Sequence, residues 1–528
     1  MLLSDLPPLS AARLAAGSLS LLVLYLLARA LYNVFLHPLR SYPGPKLWAA
    51  SRLPWVLASQ RGELAWSLLA LHERYGPVVR IAPDELSYTG TGGDVWKKIY
   101  GRRGADEFPK CLDGRAIAGP NIRQTAADGI ISAPHDKHAR LRRAVAPAFS
   151  ERALREQEGF LQLYTGKLME QLRRCCRAGA GAGAGAGDGG RSEPQDMMRW
   201  YNLLTFDVMS DLAFGQAMGC LDNADQPWLQ ILGARTKSIV WYQVLIYYGL
   251  DRWAGLFTPR SMMEARQKHV QMTTAKVTRR IQQQQNNEDR KDFLSYLLQN
   301  KGEETLTNRE LVTMASSFIV AGSGTSASAL AGITFFLCSN PEKYQKLSSE
   351  IRSAFASEAD ITLESTSRLS YLKAVIEEGL RLYPPSPSTF PRFVQGKGEE
   401  IEGRWVPGGT AVGVHQFSAG RSSLNFKDAK AFIPERWLPL PEGSEYANDV
   451  RSAVQPFSYG LGTASASRRS MAYAEMRVVL SHLFWNFDIE LVVNGTRNGT
   501  NAWIDKQKTW LVWHKIPLMM NLSTRSRA

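Results

Sequence analysis

The sequence predicts a mainly α-helical protein with a small β-sheet region, carried behind an N-terminal transmembrane helix. Three observations point there: a long apolar run near the start, a second long apolar segment that opens on a helix cap, and only two short stretches of strand character, near 78–81 and within 393–414. The 528 residues are 44% hydrophobic and 21% charged, which excludes a disordered or collagen-like chain. Five cysteines in this length do not make a disulfide framework. Lys and Arg outnumber Asp and Glu by 63 to 49, a formal charge of +14. No basic block or aromatic-basic repeat accompanies that charge, so it suits a membrane or protein partner and not nucleic acid.

Residues 14–36 carry one charge, Arg29. As a helix this run spans ~35 Å, enough to cross a bilayer core, with Arg29 snorkelling to one interface. Its length, and the lack of a small-x-small site behind it, argue against a cleaved signal peptide. His37-Pro38 ends the helix, and Ser41-Tyr42-Pro43-Gly44-Pro45 reads as a stiff, kinked spacer. The chain therefore divides into an anchor (1–37), a Pro-rich hinge (38–50) and one large domain (51–528). Arg29, Arg40 and Lys46 lie on the C-terminal side, against Arg13 and Asp5 before the run. That bias predicts a single-pass protein with its main domain in the cytosol. The sequons at Asn494, Asn498 and Asn521 would then stay unmodified.

Residues 178–187 alternate Ala and Gly and continue into Asp188-Gly189-Gly190. Such a tract has nothing to bury, so 178–190 reads as a flexible surface insertion inside one domain. Thr307-Asn308-Arg309-Glu310 is a capping box. The helix it opens can run to Asn340, before Pro341, and is apolar almost all round, so it should cross the core. Ala321-Gly322-Ser323-Gly324-Thr325-Ser326 interrupts it with small and hydroxylated residues, which are costly in a buried helix. They mark either a close helix crossing or a point where a ligand approaches the backbone.

Three downstream segments narrow the choice. Glu378-Gly379-Leu380-Arg381 precedes Tyr383-Pro384-Pro385, then comes Phe432-Ile433-Pro434-Glu435-Arg436-Trp437. Last, Pro456-Phe457-Ser458-Tyr459-Gly460 precedes Ala472-Tyr473-Ala474-Glu475. Glu378 and Arg381 lie three apart on one helix face and can pair. A lone E-x-x-R says little, but in this order behind a long capped helix the set resembles the cytochrome P-450 haem-thiolate oxygenases. The likeness is to the membrane-anchored members of fungal secondary metabolism and covers nearly the whole chain. It implies a helical prism with a small sheet region, an endoplasmic-reticulum location, haem as cofactor, a lipophilic substrate, and a reductase or related oxygenase as partner. It further implies that Glu378, Arg381 and Arg436 form the buried structural triad of that fold. His138, Arg142 and Arg392 would hold the haem propionates, a role that suits cationic donors.

Two departures stand out. The family's haem loop reads F-x-x-G-x-R-x-C-x-G, its cysteine being the iron ligand. Counting from Phe457 puts that position at Ala464; counting back from Ala472 puts it at Ala466. The loop is thus two residues longer than the pattern, and no cysteine follows Cys338. A methyl group cannot bind iron, and the thiolate is what favours O–O cleavage. The second departure is at Gly324, where the family's distal helix carries an acid before the threonine that survives as Thr325. The expectation is a P-450-like enzyme that has lost haem-thiolate oxygenation and cyclises or rearranges a lipophile, with Thr325, Ser323 and Ser326 donating hydrogen bonds to it. The alternatives are an active haem monooxygenase whose loop is misread, and a non-catalytic partner of a related oxygenase.

Overall fold

The computed structural model describes residues 11–91, 94–101, 106–111, 129–130, 133, 135–179, 192–223, 227–285, 290–299, 305–459, 463–492 and 502–525. The fold is about 62% helical. Its long helices are α1 (Ala11–Phe35), α2 (His135–Val145), α3 (Glu151–Gly179), α4 (Met197–Phe214), α5 (Pro227–Tyr247), α6 (Arg260–Gln285), α7 (Asn308–Cys338), α8 (Pro341–Ala354), α9 (Ser370–Leu382) and α10 (Thr463–Asn486). The surface-insertion expectation falls largely on 180–191, outside the described residues.

Among the described residues, four small sheets flank the helices. Strands β1 (Val78–Ala82), β2 (Glu85–Tyr88) and β4 (Arg392–Phe393) join β7 (Ala411–Val414) in the order β1-β2-β7-β4, with β2 and β7 parallel. Strands β5 (Gly398–Ile401) and β6 (Arg404–Pro407) form a hairpin. Strand β11 (Met519–Thr524) lies between β3 (Gln195–Asp196) and β8 (Phe487–Leu491). A last tight hairpin pairs β9 (Thr509–Trp510) with β10 (Val512–Trp513).

The core is built around α7. Its capping box forms as the spacing predicts: the Thr307 hydroxyl accepts from the Glu310 N–H, and Glu310 accepts from the Thr307 N–H at 3.0 Å. The helix stops at Cys338, two residues before the expected end. There the Ser339 and Asn340 N–H groups tighten the last turn, and Pro341 begins α8 in the first-turn position that suits it. Although α7 is long and apolar enough to span a bilayer, it is mostly buried inside the domain. Gly322 explains part of its small-residue stretch, because a Cβ there would lie 2.4 Å from Met209 Cε of α4. The close-crossing explanation therefore accounts for Gly322.

Helix α1 is different. It is shorter than α7 and more apolar, and its side chains from Leu14 to Tyr32 project away from the protein. Its C-terminal end docks on the domain: Asn33 Nδ2 donates to the Ala50 carbonyl and the buried Arg80 donates to the Asn33 carbonyl, each at 2.9 Å. The Pro-rich segment is docked too, with Leu39 fully buried and Tyr42 Oη donating to the Trp405 carbonyl at 2.9 Å. Deleting residues 1–30 is therefore expected to leave the melting temperature unchanged. Deleting 1–37 also removes the acceptor of a buried guanidinium, at a cost of ~1–3 kcal/mol. Calorimetry of the two truncations checks this; equal melting would show that the contact carries no stability.

Candidate functional site

A cavity of about 1210 Å3, whose wall surface is mostly apolar, opens against the middle of α7. Val320, Ser323, Gly324 and Thr325 face it from α7, and His269 and Thr273 from α6. The turn Trp510–Trp513 and the residues just after it close a third side, and Phe457 and Ser458 a fourth. Helix α2 is held against the start of α7 by Arg140 and Lys137, both on Glu310, so the carboxylate that caps α7 also positions His138 at the cavity.

The predicted site residues divide. Ser323 and Thr325 line the cavity; Ser326 does not, and faces α10 instead. There it bonds to Glu475, whose fully buried carboxyl is pushed up to about 7 by desolvation. The two cavity hydroxyls are not free donors: Ser323 Oγ donates to the Ile319 carbonyl at 2.7 Å, and Thr325 Oγ1 to that of Ala321. What they offer a ligand is oxygen lone pairs, so the expected donor role becomes an acceptor role. His138 and Arg392 reach the cavity, whereas Arg142, half-buried one turn beyond His138, is not among its lining residues. Arg392 Nη1 already donates to Glu107 Oε1 and to the Phe108 carbonyl, both at 2.9 Å.

Glu378, Arg381 and Arg436 come together away from the cavity, all fully buried. Glu378 takes a two-pronged ion pair from Arg381, each contact 2.7 Å, and a third from Arg436 Nε at 3.2 Å. Trp437 Nε1 and the Ile433 N–H donate to the same carboxylate at 2.8 Å each. Burial by itself would raise its pKa, yet the two guanidiniums and the N–H hold it below the usual carboxylate range. Arg381 also reaches the carbonyls of Ala429 (2.6 Å) and Ala431 (2.9 Å), and Arg436 meets Asp449. The cluster ties α9 to the segment before α10 and touches no ligand space.

No motif or spacing in the sequence marks Lys515. It follows β10 and lines the cavity, donating to Asn202 Oδ1 of α4. Burial pushes its ammonium down to about 8.

A family model for cytochrome P450 matches residues 43–509. The chain is a cytochrome P450. It is 50% identical over 507 residues to cytochrome P450 monooxygenase alt3 of Alternaria solani, covering 96% of this chain and 93% of that one. It is also 40% identical to cytochrome P450 monooxygenase stcF of Emericella nidulans (96% and 99% covered) and 39% identical to an averantin hydroxylase of Aspergillus parasiticus (94% of each).

Membership in this family implies haem, and the residues of this P450 fit it only in part. His138, Lys110 and Arg392 supply cationic donors on one side of the cavity, and Gly324 presents bare backbone on the α7 face, with Lys515 Nζ 3.6 Å from where a Cβ would lie. None of Cys111, Cys175, Cys176, Cys220 and Cys338 lines the cavity. Cys338 sits at the far end of α7 with Sγ 3.8 Å from the Ile489 carbonyl, and burial raises its thiol to about 12. Ala464 and Ala466 both fall in the opening turns of α10. Thiolate ligation therefore does not follow from these residues.

Proposed function

We propose that this P450 takes a lipophilic intermediate of fungal secondary metabolism into the α7 cavity. As its sequence stands, it converts that molecule without inserting oxygen, by cyclising or rearranging one folded conformer. One observation supports the reading: the large cavity and its cationic side are present, yet neither the lining nor the chain after Cys338 offers a cysteine thiol. Holding a flexible molecule in a single conformer removes much of the entropy that opposes ring closure. Ser323 and Thr325 accept hydrogen bonds from substrate hydroxyls and so help to select that conformer. Helix α1 holds the domain on the cytosolic face of the endoplasmic reticulum, where a lipophile partitions. The test is metabolite analysis of a strain lacking the gene, with turnover of the accumulated compound by purified protein. The product should have its substrate's elemental composition and form without dioxygen or an electron donor. A product one oxygen heavier excludes this reading, and binding without turnover leaves the role of a non-catalytic partner.

A specific observation favours a second reading, that the gene makes a haem monooxygenase like its relatives. Leu461-Gly462-Thr463-Ala464-Ser465-Ala466-Ser467 can be encoded CTN-GGN-ACN-GCN-TCN-GCN-AGY. Read from the third base, this runs NGG-NAC-NGC-NTC-NGC-NAG, which admits Arg-Asn-Cys-Ile-Gly-Lys. The arginine, cysteine and glycine then fall in the family's own register after Phe457 and Gly460. A frame displaced before Leu461 and restored before Ala472, with a net gain of six bases, accounts for both the lost cysteine and the two additional residues. Sequencing the transcript across this stretch separates the readings. A message in the displaced frame selects the monooxygenase, and one matching the present residues rejects it.

A further inference from the structure

Deep in an apolar cavity, a cation that has no counter-charge is an expensive thing for a protein to keep. Among the described residues, Lys515 is such a group: it lines the cavity, and its one hydrogen-bond partner there, Asn202 Oδ1, is neutral. That amide is itself turned by a bond from Asn202 Nδ2 to the Met198 carbonyl at 2.6 Å, so its oxygen faces the ammonium. A side chain at Gly324 would begin 3.6 Å from Lys515 Nζ. Gly324 is where the family pattern has an acid, so its bare backbone leaves the ammonium both space and no anion. Among the described residues, Asp196 is the sole acid lining the cavity, and its Oδ1 accepts from the backbone N–H groups of Arg199 (3.3 Å) and Leu518 (2.9 Å). Arg266, Lys237 and Arg199 add positive charge to the same walls, Lys237 lying 4.4 Å over the Trp510 ring.

We infer that Lys515, standing over Gly324, anchors a carboxylate on the lipophilic molecule this cavity takes. The inference rests on the proposed ligand-binding role of the cavity and names the substrate class within it. A carboxylate is favoured over a phenol because it is ionised well below the range in which Lys515 loses its proton, so the pair forms fully charged. Two of the three ammonium protons remain to meet it once Asn202 has taken one.

The test is fluorescence titration of the purified full-length chain with 1-pyrenebutyric acid and with its methyl ester. The acid should bind about 10- to 100-fold more tightly, as a charge-assisted bond in an apolar site allows. Lys515→Met should bring the acid down to the ester's affinity and leave the ester unchanged. Gly324→Asp should do the same with Lys515 intact, by supplying an internal anion. Lys515→Met should also melt no lower than the parent, because the buried ammonium it removes was costly. An acid preference that survives both substitutions places the carboxylate elsewhere and overturns the inference. If the ester binds as well as the acid, Lys515 is no anchor, although the cavity still holds lipophiles. If neither probe binds, the ligand-binding role fails and the inference falls with it.

Discussion

Arg381→Ala and Glu378→Ala are each expected to give insoluble protein. Glu378→Ala takes the carboxylate from the fully buried Arg381, and Arg381→Ala leaves the fully buried Glu378 only the longer contact of Arg436; breaking such a pair costs ~3–5 kcal/mol, a large share of a domain's stability. The loss from Arg381→Ala extends further, since that guanidinium also bonds to the carbonyls of Ala429 and Ala431. The same cluster has a pH signature. The folded carboxyl of Glu378 lies below its unfolded value of 4.5, so its contribution is complete above that value. It is lost as pH falls through the lower, folded value. Melting temperatures of the parent should therefore drop in acid, and those of Glu378→Gln should drop less steeply. A soluble Arg381→Ala variant that melts with the parent would show that the ion pair contributes nothing.

Asp292→Ala should be nearly as damaging. Arg280 Nε meets Asp292 Oδ2 at 2.7 Å with both side chains fully buried, and Arg290 approaches the same oxygen at 3.6 Å. The other carboxylate oxygen accepts from the Ser295 N–H at 2.8 Å and caps the helix Phe293–Leu298. Alanine strands the Arg280 charge, ~3–5 kcal/mol, and removes the cap, ~1 kcal/mol. Asp292→Asn keeps an acceptor for the cap, so the difference between the two variants isolates that smaller part. Because Arg280 belongs to α6, which carries Arg266 and His269 to the cavity, the alanine variant should also bind ligand more weakly. Urea denaturation with both variants checks the order; an alanine variant as stable as the parent contradicts it.

These two clusters show what the sequence could and could not reveal. Glu378 and Arg381 are three residues apart on one helix, so their pairing is a local fact, and the capping box at Thr307 is likewise local. Residues 14–36 declare by length alone a helix apolar enough to cross a bilayer, although the docking of Asn33 against Ala50 and Arg80 depends on tertiary contacts. Arg280 and Asp292 lie in a stretch with many charges, and nothing in their spacing marks them as buried. The contact of Lys515 with Asn202 and its approach to Gly324 join segments far apart in the chain, where no periodicity helps. Nor could the sequence show that the Thr325 and Ser323 protons are spent on the carbonyls one turn back, which turns expected donors into acceptors. Ser326 was placed with them because it is adjacent in sequence, but successive helix positions point about 100° apart.

The central claim concerns sulfur. Cationic groups line the cavity and no cysteine does among the described residues, and we propose that a chain with the present residues after Gly460 does not hold haem through a thiolate. The most direct test is haem content and the reduced carbon monoxide spectrum of protein made from this sequence. Little haem, or haem whose complex lacks the red-shifted Soret band of thiolate ligation, is the expected result. One haem per chain with that band would contradict the account, because it requires a sulfur ligand that these residues do not supply.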